Sequence, residues 1–490
     1  MEMNKQFNSR LSKKVLVASA IIIPGLCWYF SNGLNGNFWY LLWLAPVPVL
    51  LISFCVTARE TFFISFAGYL IGRLSWFHYL VIVAGLIPAI IFTLALPLVF
   101  AVIVMVSRST VITINKWYGI FAFPVFYTAF ELLLIKFSSD GTAASVAYSQ
   151  LDFVPLIQIA SVTGILGITF MVTFIPAALA VCWHYRKEKS KLIPSAIISF
   201  VLVVSVFVFG ISRITNSAKQ AATTVGLVVL DESLHKMGKD IDFQNELQHI
   251  KNYAQEITAL AARGAKLIVL PERAINVNSE TAAAAISILS NAAKQNHVAI
   301  VTGYTNFKNV KERNSALVIN AEGNVVADYN KVHLVNGLEG QFTPGTEIGL
   351  FKINEEQAGV AICKDLDFPD YIKSYGTNKA TFLCIPAWDF VVDDWLHSRM
   401  AVLRGVENGF SEVRTARLGR LSISDFCGRV TAEANSSNGK KTSLIGEVVI
   451  GNKNTIYTRF GDWFGIAITG AAVFLVLISI SKRRKILMKT

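Results

Sequence analysis

The pattern of apolar positions divides the chain into three parts. Long apolar runs occupy residues 14–30, 39–57, 61–82, 86–107, 117–136, 160–184 and 192–211, and one more follows at 463–481. Each approaches the roughly 20 residues that a helix needs to cross about 30 Å of hydrocarbon. The first run is the shortest and contains Pro24 and Gly25, so a secretory signal peptide is its competing reading. Without an obvious small-residue cleavage site, and with more spans directly behind it, an uncleaved first span is the better expectation.

Between these runs the period changes. A β-rich run at 223–230 is followed by a helical pattern at 242–263 closed by Gly264, a residue suited to a helix C-cap. A buried-strand pattern, 265–271, then ends in Pro271. Helices are expected again at 279–296 and 394–408. Strands are expected at 297–303, 314–320, 324–330, 348–353, 358–363, 380–386, 411–417, 421–426 and 444–450. Such alternation predicts a layered α/β domain whose sheets are covered by helices. The expected organisation is a seven-helix transmembrane domain at 1–213, a soluble domain at 214–460, and a last transmembrane helix with a basic tail at 461–490.

Composition agrees, with 53% hydrophobic and 16% charged residues, against roughly 25% charged in an ordinary soluble domain. The net charge of +12 would suit nucleic acid, but its placement follows membrane topology instead. Lys5, Arg10, Lys13 and Lys14 precede the first span. Alternate loops carry Arg59, then Arg108 and Lys116, then Arg186, Lys187, Lys189 and Lys191; the C-terminal tail carries Lys482, Arg483, Arg484 and Lys485. The intervening loops are almost free of basic residues, Lys136 at a helix end being the exception. With seven spans before the soluble domain and one after it, the rule that basic loops stay inside places both termini in the cytoplasm and residues 212–462 outside it. No nucleic-acid partner is expected. The six cysteines form no C-x-x-C pair, so neither a zinc site nor a redox motif is signalled.

Three residues stand at predicted strand ends, where α/β sheets bind ligands: Glu272 after Leu270-Pro271, Lys331 after Tyr329-Asn330, and Cys363 after Ala361-Ile362. A carboxylate, an ammonium and a thiol together suffice for acyl transfer. Glutamate can take the thiol proton. Lysine can favour thiolate and hold an oxyanion, helped by the N–H after the cysteine. Cysteine can then form a thioester. Taken singly, each has an ordinary reading: Cys363 as a core residue, Glu272 paired with Arg273, Lys331 in solvent. Arg73, His78 and Glu131 fall within predicted spans, where ionisable groups are costly and serve function or pair structurally.

The segments around these residues, Leu267–Glu272, Asn330–Leu334 and Val360–Asp370, resemble in order and spacing the three motif blocks of the nitrilase, or carbon–nitrogen hydrolase, superfamily. Arg399, Arg404, Glu407 and Asn408 resemble its later helix. With the spans added, the whole chain resembles the apolipoprotein N-acyltransferase family of bacterial inner membranes. The resemblance implies a membrane helical bundle of about eight spans plus an α-β-β-α sandwich on the periplasmic side. Glu272 is implied as general base, Lys331 as catalytic lysine, Cys363 as acyl-bearing nucleophile and Glu339 as a second functional glutamate. Lys364 and Asp365 are implied as supporting residues, and Trp388 and Trp395 as substrate contacts.

The implied partners are membrane lipids, a phospholipid acyl donor such as phosphatidylethanolamine, and a diacylglyceryl lipoprotein acceptor. No metal or other cofactor is implied. Two departures stand out: Lys364-Asp365 where the acyltransferases have an aromatic residue and Glu, and Asn336-Gly337-Leu338 where they have Pro-Phe-Gly. The stretch Cys363–Asp370 is closer to soluble amidases, so a membrane-tethered amidase remains the alternative, and a non-enzymatic membrane scaffold a weaker one.

Overall fold

The computed structural model describes residues 10–215, 221–235, 241–307, 312–353, 355–451 and 454–487; Lys5, counted above in the N-terminal tail, lies outside them. The chain forms two compact units, one of residues 1–138, 144–212 and 462–490, the other of 139–143 and 213–461.

In the first unit, seven helices among the described residues are long and apolar enough to cross a membrane: Lys13–Phe30, Ala58–Ala84, Leu86–Ile114, Trp117–Phe137, Ile165–His184, Lys189–Thr215 and Trp463–Lys485. The run at 39–57 differs from expectation. It forms a 3-10 turn, Trp39–Trp43, and an eight-residue helix, Pro46–Ser53. Pro46 and Pro48 lack the N–H that a continuous helix would need, and Pro46 starts the helix at its first position. At the other end the run is cut by a capping box: the Thr57 hydroxyl accepts from Glu60 N (3.2 Å) while Glu60 accepts from Thr57 N (2.8 Å). Arg108 satisfies carbonyls left over at this break, donating to Ser53 O (2.5 Å) and Val56 O (3.0 Å). The run at 160–184 is interrupted at Gly164. Lys136, the basic residue out of pattern, pairs with Asp462 at 2.7 Å.

The second unit is built on two sheets. One joins β1 (Ala222–Val229), β2 (Leu267–Val269), β3 (Ile275–Val277), β4 (Ala299–Asn306), β5 (Arg313–Ile319), β6 (Val325–Asn330) and, at its far edge, β13 (Thr442–Val449), in the order β13-β1-β2-β4-β5-β6 with β3 also on β4. The other joins β7 (Gly349–Ile353), β8 (Glu356–Val360), β9 (Phe382–Trp388), β10 (Ser411–Arg417), β11 (Arg420–Ser424) and β12 (Val430–Asn435) in the order β12-β11-β10-β9-β8-β7. Side chains alternate across each strand. Leu267 and Val269 meet Phe382 and Cys384 between the sheets, whereas Ile268 packs outward on Ile250, Ile257 and Leu289, and Leu383 and Ile385 pack outward on Ile372 and Ala401. Helices Phe243–Ala262 and Ala282–Asn296 thus cover one face, and Pro369–Thr377 and Asp394–Asn408 the other. The result is the α-β-β-α sandwich expected. It also holds pieces that the pattern did not reveal: β3, β12 and the short helix Pro369–Thr377.

After β2 the chain crosses over β4, with Leu270 N on Val301 O (2.8 Å) and Ala274 N on Gly303 O (3.0 Å). A Cβ at Gly303 would come within 2.6 Å of Glu272 Cα and 2.9 Å of Arg273 N, both backbone that cannot yield. Gly303→Val is therefore expected to destabilise the soluble domain by about 1–3 kcal/mol and to displace Glu272. Thermal unfolding of the purified full chain, compared with Val301→Ala as a control on the same strand, checks this.

Candidate active site

The three motif residues come from the ends of three strands. Glu272 follows β2, Lys331 follows β6, and Cys363 lies three residues beyond β8 at the start of a 3-10 turn, Cys363–Asp367, rather than within a strand. Lys331, Glu272 and Glu339 are buried, and Cys363 is partly exposed.

Lys331 is the hub. Its Nζ donates to Glu272 Oε1 (2.7 Å) and to Glu339 Oε2 (2.9 Å). The Asn314 amide, from β5, bridges the same two carboxylates from Nδ2, at 2.6 Å to Glu272 Oε1 and 2.7 Å to Glu339 Oε1. Lys331 N donates to Asn314 O (2.9 Å), so one backbone contact ties both bridging side chains together. Burial alone would lower the Lys331 pKa, but the two carboxylates outweigh it and raise it well above its ordinary value. Burial pushes Glu339 the other way, and Lys331 overcomes that to hold it below the usual carboxylate range. The loop delivering Glu339 departs from Pro-Phe-Gly yet makes a tight turn, with Glu339 N on Val335 O (3.0 Å) and Val335 N on Glu339 Oε2 (2.7 Å). Gly337 supplies its positive φ of 80°.

Cys363 has φ 44°, the left-handed region that a side chain rarely adopts. Such a conformation costs about 1–3 kcal/mol and is retained where the surroundings enforce it. Asp365 does much of that enforcing. Its Oδ2 accepts from Ile362 N (3.0 Å) and from the Tyr329 hydroxyl (2.6 Å). Its Oδ1 accepts from Val332 N (3.2 Å) and His333 N (2.8 Å), with His333 Nδ1 at 3.0 Å. One carboxylate thus joins the turn bearing Cys363 to the chain just after Lys331. Lys364 points its ammonium to the Asp140 carboxylate. The Cys363 thiol lies 3.6 Å from Trp388 O. Burial pushes the thiol pKa well up and the Glu272 charge adds to that, against the opposing pull of Lys331.

Trp388 is wedged between cations, with Arg417 at 4.2 Å and Arg273 at 5.4 Å from its ring centroid. Its carbonyl is the group 3.6 Å from the Cys363 thiol. Trp395 is buried on helix Asp394–Asn408, with Arg399 5.7 Å over its ring. Arg399 itself pairs with Glu433 and Arg404 with Glu407, at 2.5 and 2.6 Å.

Sequence reasoning missed Asn314 and a second buried cluster behind the nucleophile. There Asp389 accepts two bonds from Arg414 (2.5 and 3.0 Å), and His397 lies 3.4 Å from Asp393 and 3.5 Å from Asp389. Asp389 sits directly after Trp388 and was readable as polar in an apolar context. Nothing in the pattern marked Arg414 or Asn314 as its neighbours' partners.

Two family profiles match the chain. "Carbon-nitrogen hydrolase" covers residues 224–449, and "Apolipoprotein N-acyltransferase N-terminal domain" covers residues 25–178. An apolipoprotein N-acyltransferase of Geobacter metallireducens is 26% identical over 478 residues, 89% of this chain and 90% of that relative. Over most of its length the chain is similar to the apolipoprotein N-acyltransferases. The acyltransferase of Vibrio parahaemolyticus is 22% identical, covering 86% of this chain and 90% of its own length. The 2-oxoglutaramate amidase of Bacillus subtilis is 27% identical but matches only 41% of this chain, against 85% of the amidase. The acyltransferase family thus accounts for the helices as well as the sandwich, whereas the amidase matches less than half of the chain.

One outcome follows from the electrostatics. Burial would lower the His397 pKa, but Asp393 and Asp389 raise it to about 9. A raised pKa gives stability that is present below the unfolded value of about 6.5 and lost as pH rises through about 9, at most about 3 kcal/mol. Thermal midpoints measured across that window should fall in the native protein and fall less in His397→Gln.

Proposed function

We propose that the chain transfers an acyl group from a membrane phospholipid to the α-amino group of the diacylglyceryl-cysteine at the N-terminus of a lipoprotein, through a thioester on Cys363. The observation that carries this reading is the convergence of Glu272, Lys331, Glu339 and the strained Cys363 in a chain whose family match includes the membrane helices.

In the proposed reaction Glu272 takes the proton from Cys363 Sγ as sulfur attacks the ester carbonyl carbon of the phospholipid. Lys331 and the N–H of Lys364 hold the oxyanion. The tetrahedral adduct collapses, the C–O bond breaks, and the lysophospholipid leaves with the proton returned by Glu272. The acceptor amine then attacks the thioester carbonyl, Glu272 removes its proton, and the C–S bond breaks to restore Cys363 and leave an amide. Glu339 and Asn314 hold Lys331 and Glu272 in register. Trp388 lies beside the nucleophile and is assigned to the acyl chain, Trp395 to the support of that region. The basic-loop pattern puts both termini in the cytoplasm and residues 214–460 in the periplasm, between 1–213 and 461–490. That reading requires the short Trp39–Ser53 segment to count as a crossing.

A second reading has one observation in its favour. Cys363–Asp370 is nearer in sequence to soluble amidases, which pass the acyl group to water.

Incubation of the purified protein with acyl-labelled phosphatidylethanolamine separates the two. We expect cysteine-dependent label on the Cys363 peptide, absent in Cys363→Ala, that moves to a diacylated lipopeptide amine. Lys331→Met is expected to lower the labelling rate by about 100-fold or more, the scale of lost oxyanion stabilisation. Label released only as free fatty acid would select the hydrolase, and no Cys363-dependent label at all would exclude both.

A further inference from the structure

The membrane unit contains a buried cation that the reaction above does not use. Arg73 lies in the middle of helix Ala58–Ala84 and is only 8% exposed. Among the described residues no carboxylate is within ion-pair distance of its guanidinium, and its Nε has no hydrogen-bond partner. The face of Trp76, 4.9 Å away, offsets only part of the cost of burying a charge. Glu131, the buried carboxylate that might have served, is committed elsewhere: it accepts from the hydroxyls of Ser145 (2.5 Å) and Thr169 (2.6 Å).

Arg73 lines a cavity of about 40 Å³, together with Trp76, Ser31, Asn32, Ser145 and Ser149. At about 10–15 Å³ for each water-sized group, the cavity has room for about three such groups, enough for the two unesterified oxygens of a phosphodiester. Ser31 and Asn32 follow directly on the end of helix Arg10–Phe30, and Trp76 Nε1 donates to Asn32 O (2.9 Å). The cavity therefore lies beside the end of helix Arg10–Phe30 and the middle of helix Ala58–Ala84. Its serine hydroxyls are already committed, Ser31 to Cys27 O, Ser145 to Glu131 and Ser149 to Val146 O, so the guanidinium is the donor left for an anion. A planar fork of donors with no hydrogen bond or ion pair among the described residues, opening on such a cavity, is the chemistry that binds phosphate.

We infer that the cavity at Arg73 is a binding site for the phosphate of a membrane phospholipid. The site does not rest on the acyl-transfer reading, since none of its residues belongs to the Cys363 machinery, and either can fail without the other. The ion completes the membrane unit: the lipid phosphate is the counter-charge that the protein itself does not provide.

The test is thermal unfolding of the full chain, delipidated in neutral detergent and titrated with phosphatidylglycerol, with diacylglycerol of the same chains, or with inorganic phosphate. Phosphatidylglycerol is expected to raise the midpoint and diacylglycerol to have a smaller effect. Arg73→Gln should lose the phosphate-dependent part, with affinity weaker by at least about tenfold, and Arg73→Lys should keep some of it. Ser149→Leu, which fills the cavity while leaving the guanidinium, should lose it too. Because the variant removes an uncompensated charge, Arg73→Gln without lipid should melt no lower than the native protein. An equal response of Arg73→Gln and native protein overturns the inference. So does a marked loss of lipid-free stability in Arg73→Gln, which would mean a protein partner for the guanidinium. A shift reproduced by inorganic phosphate alone overturns the assignment to lipid.

Discussion

A single buried ammonium organises the soluble unit's site. Lys331 is only 1% exposed, and an ammonium so placed is tolerated only if its charge and its protons are answered. Glu272 and Glu339 answer both, and Asn314 locks them to each other from the far side. The contacts come from four separate segments: the crossover after β2, β5, the end of β6 and the loop to Glu339. Removing Lys331 alone would leave two buried carboxylates facing each other, so the network requires these segments to arrive in register. Function and folding are thereby coupled through one nitrogen atom. The same arrangement keeps Glu272 aligned, and Cys363 makes no hydrogen bond to it, its thiol lying instead 3.6 Å from Trp388 O.

The thiol's position has its own enforcement. A residue at φ 44° would relax if it were not held. Holding is done mostly through backbone N–H groups on Asp365, one of them before the cysteine and two just after the lysine. The left-handed turn and the buried ammonium are thus two ends of one rigid connection. Behind it the Asp389–Arg414 pair adds a second layer of buried charge, and His397 completes it. Preorganisation of this kind lets a site stabilise developing charge without having to rearrange during the reaction.

Much of this was legible in the residue pattern. Strand periodicity placed β1, β5, β6 and β10 within a residue or so. The motif residues stood out because each follows an apolar strand. What stayed hidden shares a physical reason: Asn314 and Arg414 are polar groups whose meaning lies in partners 25 or more residues away. No local period encodes such a pairing. β3 spans three residues and was too short to show alternation, and β12, with its outward polar positions, reads as loop. The second membrane segment misled for the opposite reason: its composition is uniformly apolar, and only the two prolines and the Thr57–Glu60 box betray where it breaks.

The departure at Asp365 weighs less between acyltransferase and amidase than the sequence suggests. A carboxylate has about four lone-pair directions, and Asp365 already receives Ile362 N, Val332 N, His333 N and the Tyr329 hydroxyl, with His333 Nδ1 at 3.0 Å. It has no capacity left for a substrate. Phe368, part of the same amidase-like stretch, is stacked on His333 with centroids 3.8 Å apart, and Pro369 opens the helix Pro369–Thr377. Asp365, Phe368 and Pro369 are thus spent on holding the turn that carries Cys363, while Lys364 pairs with Asp140. A motif occupied in this way reports how the cysteine is supported, so its likeness to the amidases carries little weight about which acceptor the site would take.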